Sequence, residues 1–264
     1  MNILDHIIAH KQQEVNLRRS RKGIKELETS PLFQTEKISL KSHLLNPDKS
    51  GIIAEHKRKS PSKGIINDTL QLEDVVKGYQ EAGASAISVL TDVDFFGGSD
   101  DDLMKARQVT SLPLLRKDFI IDEYQIIEAK ALGANVILLI AACLSPSQIK
   151  RFATLARSLS MEVLLEVHSE NELLCNLIEE VDCIGVNNRN LKDFTVSIDT
   201  SLTLSSKIPE QYIKISESGI DKIETILLLK SVGYNGFLIG ENFMKTANPG
   251  QSLKEFVIQL NVKH

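Results

Sequence analysis

A (β/α)8 barrel with an N-terminal helical extension is the α/β architecture this sequence predicts, on three observations. Short apolar runs rich in β-formers recur eight times after residue 50, amphipathic helical patterns separate them, and no shift in composition interrupts the series. Strands apolar on both faces that alternate with helices imply parallel pairing through right-handed crossovers. Eight such units close into a barrel, which uses about 250 residues for one core. A doubly wound open sheet is the competing architecture, and its usual strand count is lower. Residues 1–264 therefore read as one barrel domain, with residues 1–50 as its leader.

The leader opens with "MNILDHIIAHKQQEV", whose apolar spacing predicts a helix from Ile3 to about Arg19, followed by a looser segment ending in "LLNPDKSG". It reads either as packing that covers an apolar end of the barrel or as a lid over its site. The strands follow as "GIIAEHK" at 51, "AISVLTD" at 86, "LPLLRKD" at 112, "NVILLIA" at 135, "MEVLLEV" at 161, "DCIGVNN" at 182, "YIKISES" at 212 and "GFLIGEN" at 236. Between them, "QLEDVVKGYQEAG", "IDEYQIIEAKALG", "SPSQIKRFATLARSLS" and "GIDKIETILLLKSVG" place apolar residues three and four apart, the helical period. Gly83, Gly133 and Gly233 close helices in the manner of C-caps. In "GGSDDDLMKAR", residues 97–107, the three aspartates suit a helix start, where side-chain caps and the dipole favour them.

Composition narrows the function. Hydrophobic residues make up 42% and charged residues 25%, the mixture of a soluble globular protein. A net charge of -4 and a pI near 5.9 argue against a nucleic acid or an anionic membrane as partner, because either selects a basic face. A small anionic substrate stays compatible, since a local cluster can be basic. Cys143, Cys175 and Cys183 are odd in number, lack CxxC spacing, and read as reduced packing residues. The N-terminal run is too amphipathic for a signal peptide. No stretch approaches the roughly 18 apolar residues a membrane span needs. The expected location is cytoplasmic. GxGxxG, Walker and GxSxG motifs do not occur, so no cofactor is expected. His6 and His10 stand four apart, a spacing zinc can use, but without a third ligand they read as an amphipathic face, and no metal is expected.

The first strand poses the functional question, because "IIAEHKRKSPSKG" runs from apolar residues straight into charge. In a barrel, reacting groups lie at the C-terminal strand ends, where the loops converge on one mouth. The period of two puts Glu55 and Lys57 on one face of that strand and His56 on the other. The other strands end in Lys117, Glu166, Asn187 and Arg189, Glu217 and Ser218, and Gly240. Opposed charges that share a mouth can be tuned as acids and bases. Two converging ammonium groups predict a lowered pKa for one of Lys57 and Lys117, with a neighbouring glutamate opposing the shift. Turn-and-glycine signals after the last two strands, with Gly219, Gly240 and the Ser218 hydroxyl, suit a phosphate bound by backbone N–H groups.

These segments, with "LLRKDFIID", "LLEVHSENEL", "IGVNNRNL", "ISESGI" and "FLIGENFM", resemble the successive signatures of the indole-3-glycerol phosphate synthase family over nearly the whole chain. "KRKSPSKG" and "RKDFI" are specific to that family; "ESGI" and "LIG" occur in many phosphate-binding barrels. The chain resembles the monofunctional form, without a fused isomerase domain. The resemblance implies a carboxy-lyase of tryptophan biosynthesis that turns 1-(2-carboxyphenylamino)-1-deoxyribulose 5-phosphate into indole-3-glycerol phosphate, carbon dioxide and water. It implies Lys117 as general acid at the ketone oxygen, Lys57 against the substrate carboxylate, and Glu55 and Glu166 as catalytic carboxylates, with the division of proton steps among the four left open. It implies Asn187, Arg189 and Ser218 as orienting contacts. Ser60, Gly219, Gly240 and Glu241 would hold the phosphate, and Phe96, Phe119, Leu138 and Leu191 would line the aromatic ring. The implied partner is a small phosphorylated substrate, and nothing in the sequence speaks to association with other enzymes of the pathway.

Two positions depart from the family pattern. His56 stands where an aliphatic residue is usual and reads as a supporting or packing residue. Glu241 stands where some members have Ser, and its carboxylate must point away from a phosphate. The competing functions are a related phosphosugar isomerase, such as phosphoribosylanthranilate isomerase with its Cys/Asp pair, and a catalytically silent phosphosugar-binding barrel.

Overall fold

In the computed structural model, which describes residues 3–191 and 193–262, the chain opens with helix α1 (Ile3–Arg21). Two short helices complete the leader, α2 (Ile24–Leu27) and α3 (Leu40–Leu45). Strand β1 (Ile52–His56) follows, then a small antiparallel hairpin of β2 (Lys59–Ser60) and β3 (Gly64–Ile65) that the sequence reading left inside the first loop. Thereafter strands and helices alternate: α4 (Leu72–Glu81), β4 (Ala86–Leu90), α5 (Asp100–Val109), β5 (Leu114–Lys117), α6 (Glu123–Ala131), β6 (Val136–Ile140), α7 (Pro146–Ser158), β7 (Glu162–Val167), α8 (Glu170–Leu174), β8 (Cys183–Asn187), α9 (Asp199–Ser205), β9 (Ile213–Glu217), α10 (Ile223–Ser231), β10 (Gly236–Ile239), α11 (Glu241–Met244) and α12 (Pro249–Val262).

Eight parallel strands close in the order β1-β10-β9-β8-β7-β6-β5-β4, as the repeat predicts. Strand β5 begins at Leu114 rather than Leu112, because Pro113 has no N–H to give the ladder. Ser99, Ser145 and Ser169 cap their helices by accepting a backbone N–H, and Ser145 and Asp122 complete capping boxes with Gln148 and Gln125. Gly83, Gly133 and Gly233 all have positive φ after helices, the conformation that a C-terminal glycine supplies without strain.

Pleat alternation sorts the barrel strands into two cores. Ile52, Ala54, Leu114, Ile137, Val163 and Ile184 face the helices and join one large apolar layer. Ile53, Leu115, Leu138, Leu164, Cys183, Ile215 and Leu238 face the barrel interior. Leu40 and Leu44 of α3 join that inner cluster, so α3 plugs the N-terminal end of the barrel. There the buried Glu162 accepts from the Ser39 hydroxyl at 2.6 Å and from the Lys41 N–H at 3.1 Å. The cover reading of the leader thus holds for α3. Helix α1 does something else: its Val15 packs with Leu27, Tyr124 and Ala131 against the flank of α6, while its first turn reaches the opposite, C-terminal mouth.

Candidate active site

The inner-facing positions at the C-terminal strand ends are where the apolar layers stop and charge begins. Two residues beyond Ile53 on β1 stands Glu55; beyond Leu115 on β5, Lys117; beyond Leu164 on β7, Glu166; beyond Gly185 on β8, Asn187; beyond Ile215 on β9, Glu217. Barrel closure brings these ends together in a cavity of about 650 Å³. All the site residues named from the sequence line it: Glu55, Lys57, Ser60, Phe96, Lys117, Phe119, Leu138, Glu166, Asn187, Arg189, Leu191, Ser218, Gly219, Gly240 and Glu241.

Two cation–carboxylate groups form the floor. The Lys57 ammonium donates to Glu55 Oε1 at 2.6 Å, and the Ser88 hydroxyl contacts Glu55 Oε2 at 3.4 Å. The Lys117 ammonium lies 2.6 Å from Glu217 Oε2 and 3.3 Å from Glu166 Oε2. Burial acts to raise the pKa of Glu55, but the neighbouring Lys57 and Lys117 outweigh it and hold the carboxyl below its ordinary range. Glu166 follows the same balance, lowered by Lys117, His168 and a hydrogen bond from Asn187 despite its burial.

Glu217 goes the other way. Burial, only partly offset by Lys117, and the charge of Glu166 push it up to about 7. The reason is arithmetic of charge: one ammonium stabilises two carboxylates less well than one. The sequence reading noted Glu217 at a strand end but gave it no role. Its place beside Lys117 depends on two residues a hundred positions apart meeting across the barrel.

The expectation of a lowered lysine pKa is overturned at Lys117. Burial lowers it, yet Glu217, Glu166 and Glu55 raise it further, so the net shift is upward. Two converging ammonium groups with one neighbouring glutamate would lower the pKa, whereas Lys117 faces three carboxylates. The outward turn of His56 is as expected: it is buried on the outer face of β1, where desolvation, with the charge of Arg58, depresses its pKa to about 4.

Above the floor, Phe96 and Phe119 lie 6.0 Å apart at a tilted 42°, and Leu138 rises from β6 between them and Glu166 in sequence. Asn187 Oδ1 accepts from the Ser218 hydroxyl at 2.9 Å and from the Arg189 N–H at 3.0 Å, which fixes its amide with respect to the floor. Ser218 and Gly219 have consecutive positive φ values of 67° and 73°, and both residues of this turn line the cavity. Gly240 lies so close to Glu55 that an added Cβ would stand 2.6 Å from Glu55 Oε1. Glu241 Oε1 is 3.5 Å from the Lys63 ammonium. Lys63, to which the sequence motif assigns no role, lines the same cavity as Gly219 and Gly240.

Leader residues Ile3, Leu4 and Ile7 also line the cavity, so the lid reading describes the first turn of α1. Its anchors are substantial. The Lys11 ammonium, 1% exposed, sits 2.8 Å from Asp92, 2.9 Å from Asp118 and 2.7 Å from Glu14. Arg18 pairs with Asp100 and Glu128, which also hold the buried Arg116. The acidic run at Asp100–Asp102 therefore starts a helix, as expected, and supplies ion pairs, with Asp102 holding Arg58 at 2.5 Å. His6 and His10 meet Phe95 edge-on. Cys183 packs inside the barrel, whereas Cys175 is exposed and is not the packing residue the sequence suggested. Among the described residues, no helix is long and apolar enough to cross a membrane.

Known proteins match this arrangement. The family model described as indole-3-glycerol phosphate synthase matches residues 4–256. An indole-3-glycerol phosphate synthase of Bacteroides thetaiotaomicron is 45% identical over 256 residues, covering 97% of this chain and 98% of that one. One from Polaromonas naphthalenivorans is 44% identical over 258 residues, covering 96% and 98%. Among solved structures, 3-hexulose-6-phosphate synthase from Salmonella typhimurium superposes with a TM-score of 0.63 at 14% identity, covering 81% of this chain and 100% of that chain. A chain of the tryptophan synthase complex from Pyrococcus furiosus gives 0.60 at 16% identity, covering 81% and 99%. At such identities the two structures share the fold.

Proposed function

The chain belongs to the indole-3-glycerol phosphate synthase family, the carboxy-lyases that close the indole ring in tryptophan biosynthesis, and we propose that the charged floor of its cavity carries out that reaction. The substrate is 1-(2-carboxyphenylamino)-1-deoxyribulose 5-phosphate. Its anthranilate ring carbon attacks the ketone carbon, the carboxylate leaves as carbon dioxide, and a hydroxyl leaves as water. Such a sequence needs an acid at oxygen, a dry pocket for the ring and an anchor for phosphate.

Lys117 serves the ketone oxygen. Its raised pKa keeps the ammonium charged, which stabilises negative charge developing on that oxygen but makes the ammonium a reluctant donor. Glu217, in contact with Lys117 and with a pKa near operating pH, is the better proton store and resupplies the lysine. Lys57 pairs with the substrate carboxylate. Glu55 and Glu166, both held ionised, take up protons and stabilise the cationic ring-closed intermediate. Asn187, Arg189 and Ser218 orient the linking chain. The ring lies against Phe96, Phe119, Leu138 and Leu191, under the first turn of the leader. The phosphate rests at Ser60, Gly219 and Gly240, with Lys63 turning from Glu241 to meet it. Glu241 then swings toward solvent, which its half-exposed position permits.

The observation that carries this reading is the Lys117 ammonium within 3.3 Å of two buried carboxylates at the foot of an aromatic-lined cavity. The test mixes purified protein with the substrate and follows indole fluorescence and carbon dioxide release. Lys117→Ala should lose at least ~100-fold in turnover, the usual range for a positioned acid, while still binding substrate. Unchanged turnover in that variant rejects the assignment. We further propose that the chain acts as one barrel unit in the cytoplasm, a reading its three unpaired cysteines support.

A further inference from the structure

Beyond the cavity wall, one partly buried titratable side chain has no part in the scheme above and yet touches a residue that does. His168 follows β7 and stands two positions after Glu166 in "LLEVHSENEL", so the pleat keeps it on the side of Glu166. Its Nε2 is 3.4 Å from Glu166 Oε1, and its Nδ1 is 3.4 Å from Glu172 Oε2 on α8. Glu172 is itself tied down, since its Oε2 accepts the His168 backbone N–H at 2.8 Å and its own N–H meets the Ser169 cap hydroxyl at 3.3 Å. The imidazole is thus held between two carboxylates. Glu166 in turn has the Lys117 ammonium on Oε2, while its Oε1 faces His168 Nε2, a ring nitrogen with no hydrogen-bond partner of its own among the described residues.

A neutral imidazole carries one N–H and can serve only one of these carboxylates, whereas an imidazolium serves both. We propose that His168 is a positioning residue for the ring-closing reaction: as an imidazolium it ties Glu166 Oε1 to the fixed Glu172 and keeps Oε2 turned toward Lys117. The charged groups acting on it are Glu172 on α8, Glu166 near the end of β7 and Glu217 on β9, two strands away. The nearby Cys143 thiol is pushed up to about 12 by burial and the charges of Glu166 and Glu172 and stays neutral. Burial opposes the charge on His168, but Glu172, Glu166 and Glu217 together raise its pKa above the ordinary value. Glu166 gains in the same exchange, because the imidazolium helps hold it ionised. His168 is absent from the cavity lining, so it acts through Glu166 rather than on substrate.

The inference rests on the role proposed for Glu166, and its test separates the two. His168→Gln keeps a polar side chain but cannot become a cation. Without that cation Glu166 protonates at higher pH, so the acid limb of the kcat profile should move up by about half a unit or more. Turnover at the optimum should drop roughly tenfold from misplacement of the carboxylate, with KM changed far less. Glu172→Gln leaves the imidazole in place and should lower the His168 pKa, read directly by imidazole ¹⁵N NMR titration. That second readout decides the matter should His168→Gln fold poorly. A His168→Gln profile that superposes on the wild type, or a wild-type His168 that titrates at or below about 6.5, overturns the inference. Full turnover in Glu166→Gln would instead remove the role of Glu166. Collapse in Glu166→Gln with an unmoved His168→Gln profile removes only the positioning.

Discussion

Glu217 gains its chemistry from what surrounds it rather than from its own type. A carboxyl buried beside an ammonium would ordinarily ionise easily, but this one shares Lys117 with Glu166 and is raised to about 7. Its protonated form therefore prevails in the folded enzyme below about pH 7. If that form resupplies Lys117, kcat falls as pH rises through about 7, and Glu217→Gln abolishes that ionisation; a persistent alkaline limb near 7 in the variant assigns the proton to another group. Room for the carboxyl comes from Gly185, where a Cβ would stand 2.4 Å from Glu217 Oε1 and 3.0 Å from Leu164 Cδ1. Gly185→Ala should displace Glu217 and lower kcat at least ~10-fold, since a shift near 1 Å in a catalytic group is costly; wild-type kinetics in Gly185→Ala would show that the carboxyl's position is immaterial. The strand-end residues Glu55, Lys57, Lys117 and Glu166 were legible because a period of two and a barrel place them on the mouth. Glu217 was visible as a residue but its partner was not, because only closure of the barrel sets β5 and β9 facing one another.

Helix α1 shows how one element can serve packing and site together. Its middle is locked by Lys11, whose ammonium ends among Glu14, Asp92 and Asp118, and Asp118 is the residue next to Lys117. Removing one member of a buried ion pair leaves the other charges without compensation, which costs about 3–5 kcal/mol. Lys11→Ala should therefore loosen the leader, expose it to limited proteolysis and raise KM, because Ile3, Leu4 and Ile7 no longer close the cavity. Native proteolysis and KM in that variant would mean that the apolar contacts of Val15 hold the helix unaided. From the sequence, the amphipathic spacing located this helix to within two residues at its end. Which end of the barrel it covers was open, because amphipathicity specifies that a face is buried and not against what. The small hairpin β2–β3 was missed for a related reason: its two-residue strands carry no periodic signal.

At the scale of the molecule, stability on the acid side rests on buried groups with strongly displaced pKa values. His56 is neutral in the fold, its pKa lowered by burial to about 4 from 6.5, so the unfolded chain takes up its proton first as pH falls. The resulting stabilisation is complete above about 6.5 and is lost between about 6.5 and 4, for about 3 kcal/mol. Asp118 extends the decline. Burial acts to raise it, but Lys11 and Arg116 hold it down at about 2, so its contribution is lost as pH falls from about 4 towards 2. His56→Leu should flatten the dependence of Tm on pH between 6.5 and 4 and leave the lower decline intact; an unaltered slope would place the titration elsewhere. Local spacing by itself determined the order of eight strands and their helices, the two faces of each strand and the polar strand ends, because periodicity and turn chemistry are written in neighbouring residues. Only the tertiary structure decided which charges meet, that Lys117 faces three carboxylates, and that the leader spans both ends of the barrel. Those outcomes depend on the distances that closure imposes between residues far apart in the chain, and electrostatic energies follow distance and burial rather than order.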